Sequence, residues 1–192
     1  MQIIDLSHTI SNDMPVFPGT FPPYIKLTNN YQKDGFKESS ISMVTHTGTH
    51  MDPPVHVNPN QPAIDSFCPA QFYGPGVVID CHTLVEGEKI TMKHLAPFRK
   101  EADQADFLLF YTGWDVLWGT EDYFGDYPSV DDDIIQYMLD TRKKGIGVDV
   151  IGLDPITDKL LVHHKQLFRD GDKVIIENLT NLRPLLCSST RK

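Results

Sequence analysis

Residues 131–151 read DDDIIQYMLDTRKKGIGVDVI. Acidic residues stand at the start, and Ile134, Ile135, Met138 and Leu139 recur at helical spacing. Arg142, Lys143 and Lys144 follow, where the negative end of a helix dipole favours cations, and Gly145 is the expected stop. The short apolar run Gly147–Ile151 then predicts a strand directly after the helix. Working outward, Ala105–Tyr111 (ADFLLFY) reads as a buried central strand, and Gly76–Cys81 (GVVIDC) as a shorter one. Lys173–Glu177 reads as a strand running into the turn residues Asn178, Thr180 and Asn181, with a short helical candidate around Asp158–Phe168 before it. Thr91 is a candidate cap for a short helix that Pro97 limits. The pattern predicts a mixed α/β domain with many strands and few long helices.

The first sixty residues carry little helix. Pro15, Pro18, Gly19, Pro22 and Pro23 forbid it after the short apolar run Gln2–Leu6. Residues 38–50 (ESSISMVTHTGTH) favour a strand, Pro53 and Pro54 stop it, and residues 57–71 read as a loop. The aromatic, turn-rich stretch that begins at Thr112 is open to two roles, pocket wall or satellite core. With no repeat, low-complexity tract or linker, residues 1–192 are expected to form one domain.

Composition narrows the function classes. The chain has 40% hydrophobic and 22% charged residues, an ordinary balance for a soluble globular protein. Seventeen Lys and Arg against 26 Asp and Glu give a net charge of -9, which argues against a nucleic-acid surface but not against a small anionic ligand. Cys68, Cys81 and Cys187 are widely spaced and odd in number, so they suit a reducing compartment better than a disulfide framework. Neither a signal-peptide pattern nor an 18-residue apolar run is visible, and the expectation is a cytoplasmic protein without a membrane partner.

Chemistry enters with eight histidines, three of them within HTGTHMDPPVH, residues 46–56. Imidazoles at His46, His50 and His56 with the carboxylate of Asp52 combine nitrogen and oxygen ligands that suit zinc, manganese or iron. In an extended chain residues 46, 48, 50 and 52 share a face, and Gly48 would leave room there for a cation. The plain alternative is a histidine-rich surface loop with Asp52 as a turn residue. A local segment needs ligands from elsewhere, and His163 or His164 and Glu177 are the candidates. Glu177 closes the apolar run Val174-Ile175-Ile176, where an unpaired charge is expensive to bury. No GxSxG elbow, paired-cysteine motif or phosphate-binding loop offers a rival centre.

The segment resembles the signature of the metal-dependent cyclase-like hydrolase family that includes bacterial kynurenine formamidase, His-any-Gly-Thr-His-any-Asp-any-Pro-any-His. His46, Gly48, Thr49, His50, Asp52, Pro54 and His56 match its fixed positions. DLSHTI at 5–10, FPG at 17–19, TGW at 112–114, HKQLF at 164–168 and ENLTNL at 177–182 extend the likeness over essentially the whole chain. The resemblance implies His46, His50, Asp52, His164 and Glu177 as ligands of one or two divalent ions, zinc or manganese, and His56 as the catalytic base or acid. One additional residue between the last two ligand positions leaves His163 open beside His164. It further implies a central barrel-like sheet with surrounding helices, and a homodimer or higher even oligomer.

The activity implied is hydrolysis of an amide-like C–N bond, with N-formylkynurenine giving formate and kynurenine. An isatin-type cyclic amide, a lactone, or a catalytically silent metal-binding module are the alternatives. Phe17, Phe21, Tyr24, Trp114 and Trp118 are candidate pocket walls for a planar substrate. Thr20 stands where many relatives have Asp, and the GLDPI segment at 152–156 also departs from the common form, so the substrate does not transfer by likeness alone.

Overall fold

The computed structural model describes residues 3–186, so Gln2 of the first apolar run and Cys187 lie outside it. The strands are β1 (Tyr24–Asn29), β2 (Glu38–Ser42), β3 (His50–Asp52), β4 (Gly76–Asp80), β5 (Lys89–Ile90), β6 (Phe107–Tyr111), β7 (Ser129–Val130), β8 (Gly145–Val148) and β9 (Val174–Glu177). The helices are α1 (Tyr31–Asp34), α2 (Met92–Leu95), α3 (Arg99–Gln104), α4 (Asp132–Asp140), α5 (Val162–Leu167) and α6 (Arg183–Leu186). The chain is an α/β domain around a mixed five-stranded sheet of order β3-β9-β8-β6-β4. β4, β6, β8 and β9 run parallel, and β3 is antiparallel to β9. No pairing joins β3 to β4 among the described residues, so the sheet is open at both edges.

Strand alternation divides the interior in two. Ile79, Leu108, Phe110, Ile146, Val148 and Ile175 face one side and pack with Leu95, Ala102, Ile134, Met138 and Leu167 from helices α2 to α5. Val78, Leu109 and Ile176 face the other, against Leu6, Leu179 and Leu182. Thr91 caps α2 as expected, in a reciprocal arrangement with His94.

Helix α4 ends five residues before the expected glycine. Asp131 Oδ1 accepts from Ile134 N at its start, but Thr141 is already extended, with φ -113°. The cations after it serve another helix. Lys143 is buried and its ammonium donates to Ala102 O and Ala105 O, at the carbonyl end of α3. Lys144 N donates to Asp106 O at 2.8 Å. Gly145 therefore opens β8 rather than closing α4. A Cβ there would lie 2.8 Å from Val174 O and 3.1 Å from Phe107 Cδ1, so glycine permits the close approach of three strands. The strand expected over 147–151 is shifted to 145–148, because Asp149 leaves the ladder to accept hydrogen bonds from Thr112 and Gly113.

The hairpin of β1 and β2 pairs Tyr24 with Ser42 through Asn29 with Glu38, and most of its side chains are exposed. Only its second strand was expected from sequence.

Candidate metal centre

The 38–50 segment is two strands rather than one. Gly48 takes φ +61°, a conformation glycine adopts without strain, and this breaks the chain between β2 and β3. His46 thus reaches the centre from a turn, while His50 and Asp52 share one face of β3. A Cβ on Gly48 would meet Met14 Cε at 2.9 Å. The side chains nearest that Cβ position are Met14 and Ile10 and not the cluster, so the glycine serves the turn, which corrects the idea that it clears space for a cation.

The turn is tied to the end of β9. Asn178 is left-handed, φ 56°, which Asn tolerates better than most residues. Its side chain donates to Gly48 O at 3.0 Å and accepts from Tyr123 Oη at 2.8 Å, and its carbonyl accepts from Thr49 Oγ1 at 2.5 Å. His50 stands opposite Glu177 in the β3–β9 register, which joins two segments far apart in sequence.

His46 Nδ1 lies 2.6 Å from Asp52 Oδ1 and 3.1 Å from His50 Nε2. His50 Nε2 lies 3.1 Å from Asp52 Oδ1 and 3.6 Å from Glu177 Oε2. His164 Nε2 lies 3.4 Å from Asp52 Oδ2 and 3.3 Å from Glu177 Oε1. Donors held about 2.1 Å from one tetrahedral ion stand about 3.4 Å apart, so most of these separations match a shared cation. Two ligand-capable trios, His46–Asp52–His56 and His50–Asp52–Glu177, meet at Asp52. Both Asp52 oxygens are buried, and despite the close imidazoles neither accepts a well-directed hydrogen bond. A donor set of imidazoles and carboxylates around orphaned buried oxygens fits a divalent cation.

Within the cluster the charges compensate one another. Burial favours the neutral ring of His50, but Asp52 and Glu177 outweigh it and raise its pKa. Burial likewise opposes charge on His164, yet Asp154, Asp52 and Glu177 raise it well above the usual imidazole value. Burial would raise Asp52, and its imidazole neighbours hold it low instead. His56 behaves differently. Burial of part of its ring, then the neighbouring His46, pushes it down to about 4, so it is a neutral base near pH 7.

Of the two adjacent histidines, His164 joins this cluster. His163 Nε2 lies 3.4 Å from Asp132 Oδ1 and its Nδ1 3.5 Å from Asp154 Oδ1. Asp154 contacts His164 directly, Oδ2 to Nδ1 at 2.5 Å. Asn178 and Tyr127 are further contributors that sequence reasoning missed. The ENLTNL motif marks the first, while nothing local marks Tyr127, whose hydroxyl donates to Asp154 O at 2.6 Å.

A cavity of about 550 Å³ opens over the cluster, of a size that suits a small-molecule substrate. Of the five aromatics expected to wall it, Phe17 does so. Trp114 and Trp118 pack against the core instead, Trp118 also stacking on His8 at 3.9 Å, while Phe21 and Tyr24 are exposed. Thr20 lines the cavity, but its hydroxyl closes a turn by donating to Phe17 O.

Known proteins share this arrangement of chain. Residues 4–155 match the model of a family described as putative cyclase. A kynurenine formamidase of Bacillus thuringiensis subsp. konkukian (strain 97-27) is 32% identical over 178 residues, covering 92% of this chain and 81% of that protein. One from Geobacillus thermodenitrificans (strain NG80-2) is 29% identical over 174 residues, covering 90% and 79%. Among solved structures, isatin hydrolase A from Labrenzia aggregata bound to benzyl benzoate aligns with a TM-score of 0.83 at 25% identity, covering 95% of this chain and 82% of that one.

Proposed function

The chain belongs to the putative cyclase family of metal-dependent hydrolases and is an amidohydrolase, and from that premise we propose that it opens the C–N bond of an isatin-type cyclic aryl amide. The observation that carries this reading is the convergence of His46, His50, Asp52, His164 and Glu177 on one space beneath a largely apolar cavity. The overall likeness to isatin hydrolase A favours a cyclic substrate. A second reading, an acyclic arylformamide such as N-formylkynurenine, draws on the 32% identity to a kynurenine formamidase.

In this proposal those five residues hold one or two divalent ions, zinc or manganese. Such a cation lowers the pKa of water and polarises a carbonyl. His56, neutral and beside His46, accepts the proton of the attacking water and returns it to the leaving aryl nitrogen. Phe17, Val44 and Ile151 hold the planar ring, and Asp154 fixes the His164 imidazole from behind. A cyclic amide then yields one product carrying both arylamine and carboxylate, whereas a formamide yields formate and a free arylamine. The proposal extends to one domain over residues 1–192 and to a cytoplasmic homodimer or higher even oligomer. No helix among the described residues is long and apolar enough to cross a membrane.

The test is metal analysis coupled to mass-spectrometric product identification over isatin, N-formylkynurenine and an aryl lactone, with zinc- or manganese-loaded and chelated protein. Metal-dependent opening of isatin is expected. Metal binding without turnover of any member would leave a silent metal-binding module and overturn the proposal.

A further inference from the structure

Among the described residues Lys159 is the single lysine or arginine lining the cavity, which also carries the carboxylates of Asp52, Asp154, Asp158 and Glu177. Those acids are committed elsewhere. Asp52 and Glu177 face the imidazoles of the cluster. Asp154 accepts from His163 N and His164 N at 2.7 and 3.1 Å and from the His164 ring. Asp158 accepts from Leu160 N and Val162 N at 2.7 and 3.2 Å. Lys159 forms no ion pair among the described residues.

The lysine is also held in place by its backbone. Asp158 N donates to Pro155 O at 2.8 Å, closing a turn just before it, and the Asp158 carboxylate ties Leu160 N and Val162 N at the start of helix α5. Leu161, two residues on, adopts a left-handed φ of 52°, a conformation that a non-glycine residue keeps only where its surroundings demand it. The segment therefore presents one uncompensated cation on the rim of a cavity whose walls, including Phe17, Ile156 and Leu161, are apolar. On a chain of net charge -9, an anionic substrate is repelled at long range and needs such a local partner.

We propose that Lys159 is a specificity-determining residue that binds a carboxylate carried by the substrate away from its scissile C–N bond, so that anionic aryl amides are preferred over neutral ones. This inference rests on the amide-hydrolase reading above. Lys159 is exposed, so its ion pair with such a carboxylate is expected to give a preference of about threefold.

Charge isosteres test it. Metal-loaded wild type, Lys159→Gln and Lys159→Arg are compared on isatin-5-carboxylate against isatin-5-carboxamide, and on 3- and 4-formamidobenzoate against the matching benzamides. The expected result is an anion preference in kcat/KM of about threefold in wild type and Lys159→Arg that collapses in Lys159→Gln and shrinks as salt rises. A second readout needs no turnover: calorimetric binding of 3- and 4-aminobenzoate against the corresponding aminobenzamides should show the same preference and the same loss. An anion preference that is absent in wild type, or unchanged in Lys159→Gln, overturns the proposal. Absence of hydrolysis of every amide would sink the amide-hydrolase reading instead, and the aminobenzoate pairs would still decide the role of Lys159.

Discussion

His164 Nδ1 lies 2.5 Å from Asp154 Oδ2, while its Nε2 faces Asp52 and Glu177 at 3.4 and 3.3 Å. A carboxylate on one ring nitrogen fixes the proton there and turns the other lone pair toward the centre. Asp154→Asn is therefore expected to weaken metal binding by about 10- to 100-fold, measured by competition with a chelating dye. Unchanged affinity would show that Asp154 does no more than cap the backbone of α5.

His56 sits at a boundary between two roles. Its ring centroid is 4.0 Å from that of His46, and it forms a ligand-capable trio with His46 and Asp52. As a proton carrier, its replacement by alanine is expected to lower kcat by about 10²- to 10⁴-fold with metal content retained. Parallel loss of metal, read by mass spectrometry of the purified variant, would place His56 among the ligands instead.

Asp149 makes stability depend on pH. Burial pushes its carboxyl up to about 7, against the pull of donors from Thr112 and Gly113. The folded protein thus keeps a proton that the unfolded chain releases above about pH 4. Stability is expected to fall as pH rises from about 4 to about 7 and then to level off, by up to about 4 kcal/mol from this group. Urea unfolding across that window should show the slope, and Asp149→Asn should flatten it. Equal slopes in both proteins would mean that the Thr112 and Gly113 donors keep Asp149 ionised throughout.

Legibility in the sequence followed the range of the interactions. Strands β4, β6 and β9 were visible because a strand buried within a sheet needs an unbroken apolar run, as in Val77–Ile79 or Val174–Ile176. The cluster was visible because His46, His50, Asp52 and His56 lie within one short segment, and because Glu177 ends a strand too apolar to tolerate a stray charge. Other features depend on partners remote in sequence. Lys143 reads as the end of its own helix but serves the carbonyls of α3, and Gly48 answers to Met14 and Asn178. Trp114 and Trp118 carry the same surface chemistry as a pocket wall, and only the packed chain sends them to the core while bringing Tyr127 to the cavity. Strand β1 is not legible in the sequence because its exposed hairpin lacks the apolar run of a buried strand.

Gly145 separates the two meanings a glycine has after a helix. At a left-handed helix stop asparagine is a tolerated substitute, and Gly35 after α1 is such a position, with φ 77° and open space around its Cα. Gly145 instead lies in β8, where a Cβ would press against the Val174 carbonyl, a backbone atom that cannot swing aside. Gly35→Asn is expected to cost less than about 1 kcal/mol, because Asn is one of the few non-glycine residues that visit the left-handed region. Gly145→Asn should cost about 1–3 kcal/mol through overpacking, lowering Tm by roughly 2–4 °C for each kcal/mol in a chain of this size. Both variants are read by thermal and urea unfolding of metal-free protein, so that altered metal affinity does not enter. If Gly145→Asn proved as mild as Gly35→Asn, the close approach of β8 to β9 would not be what requires the glycine.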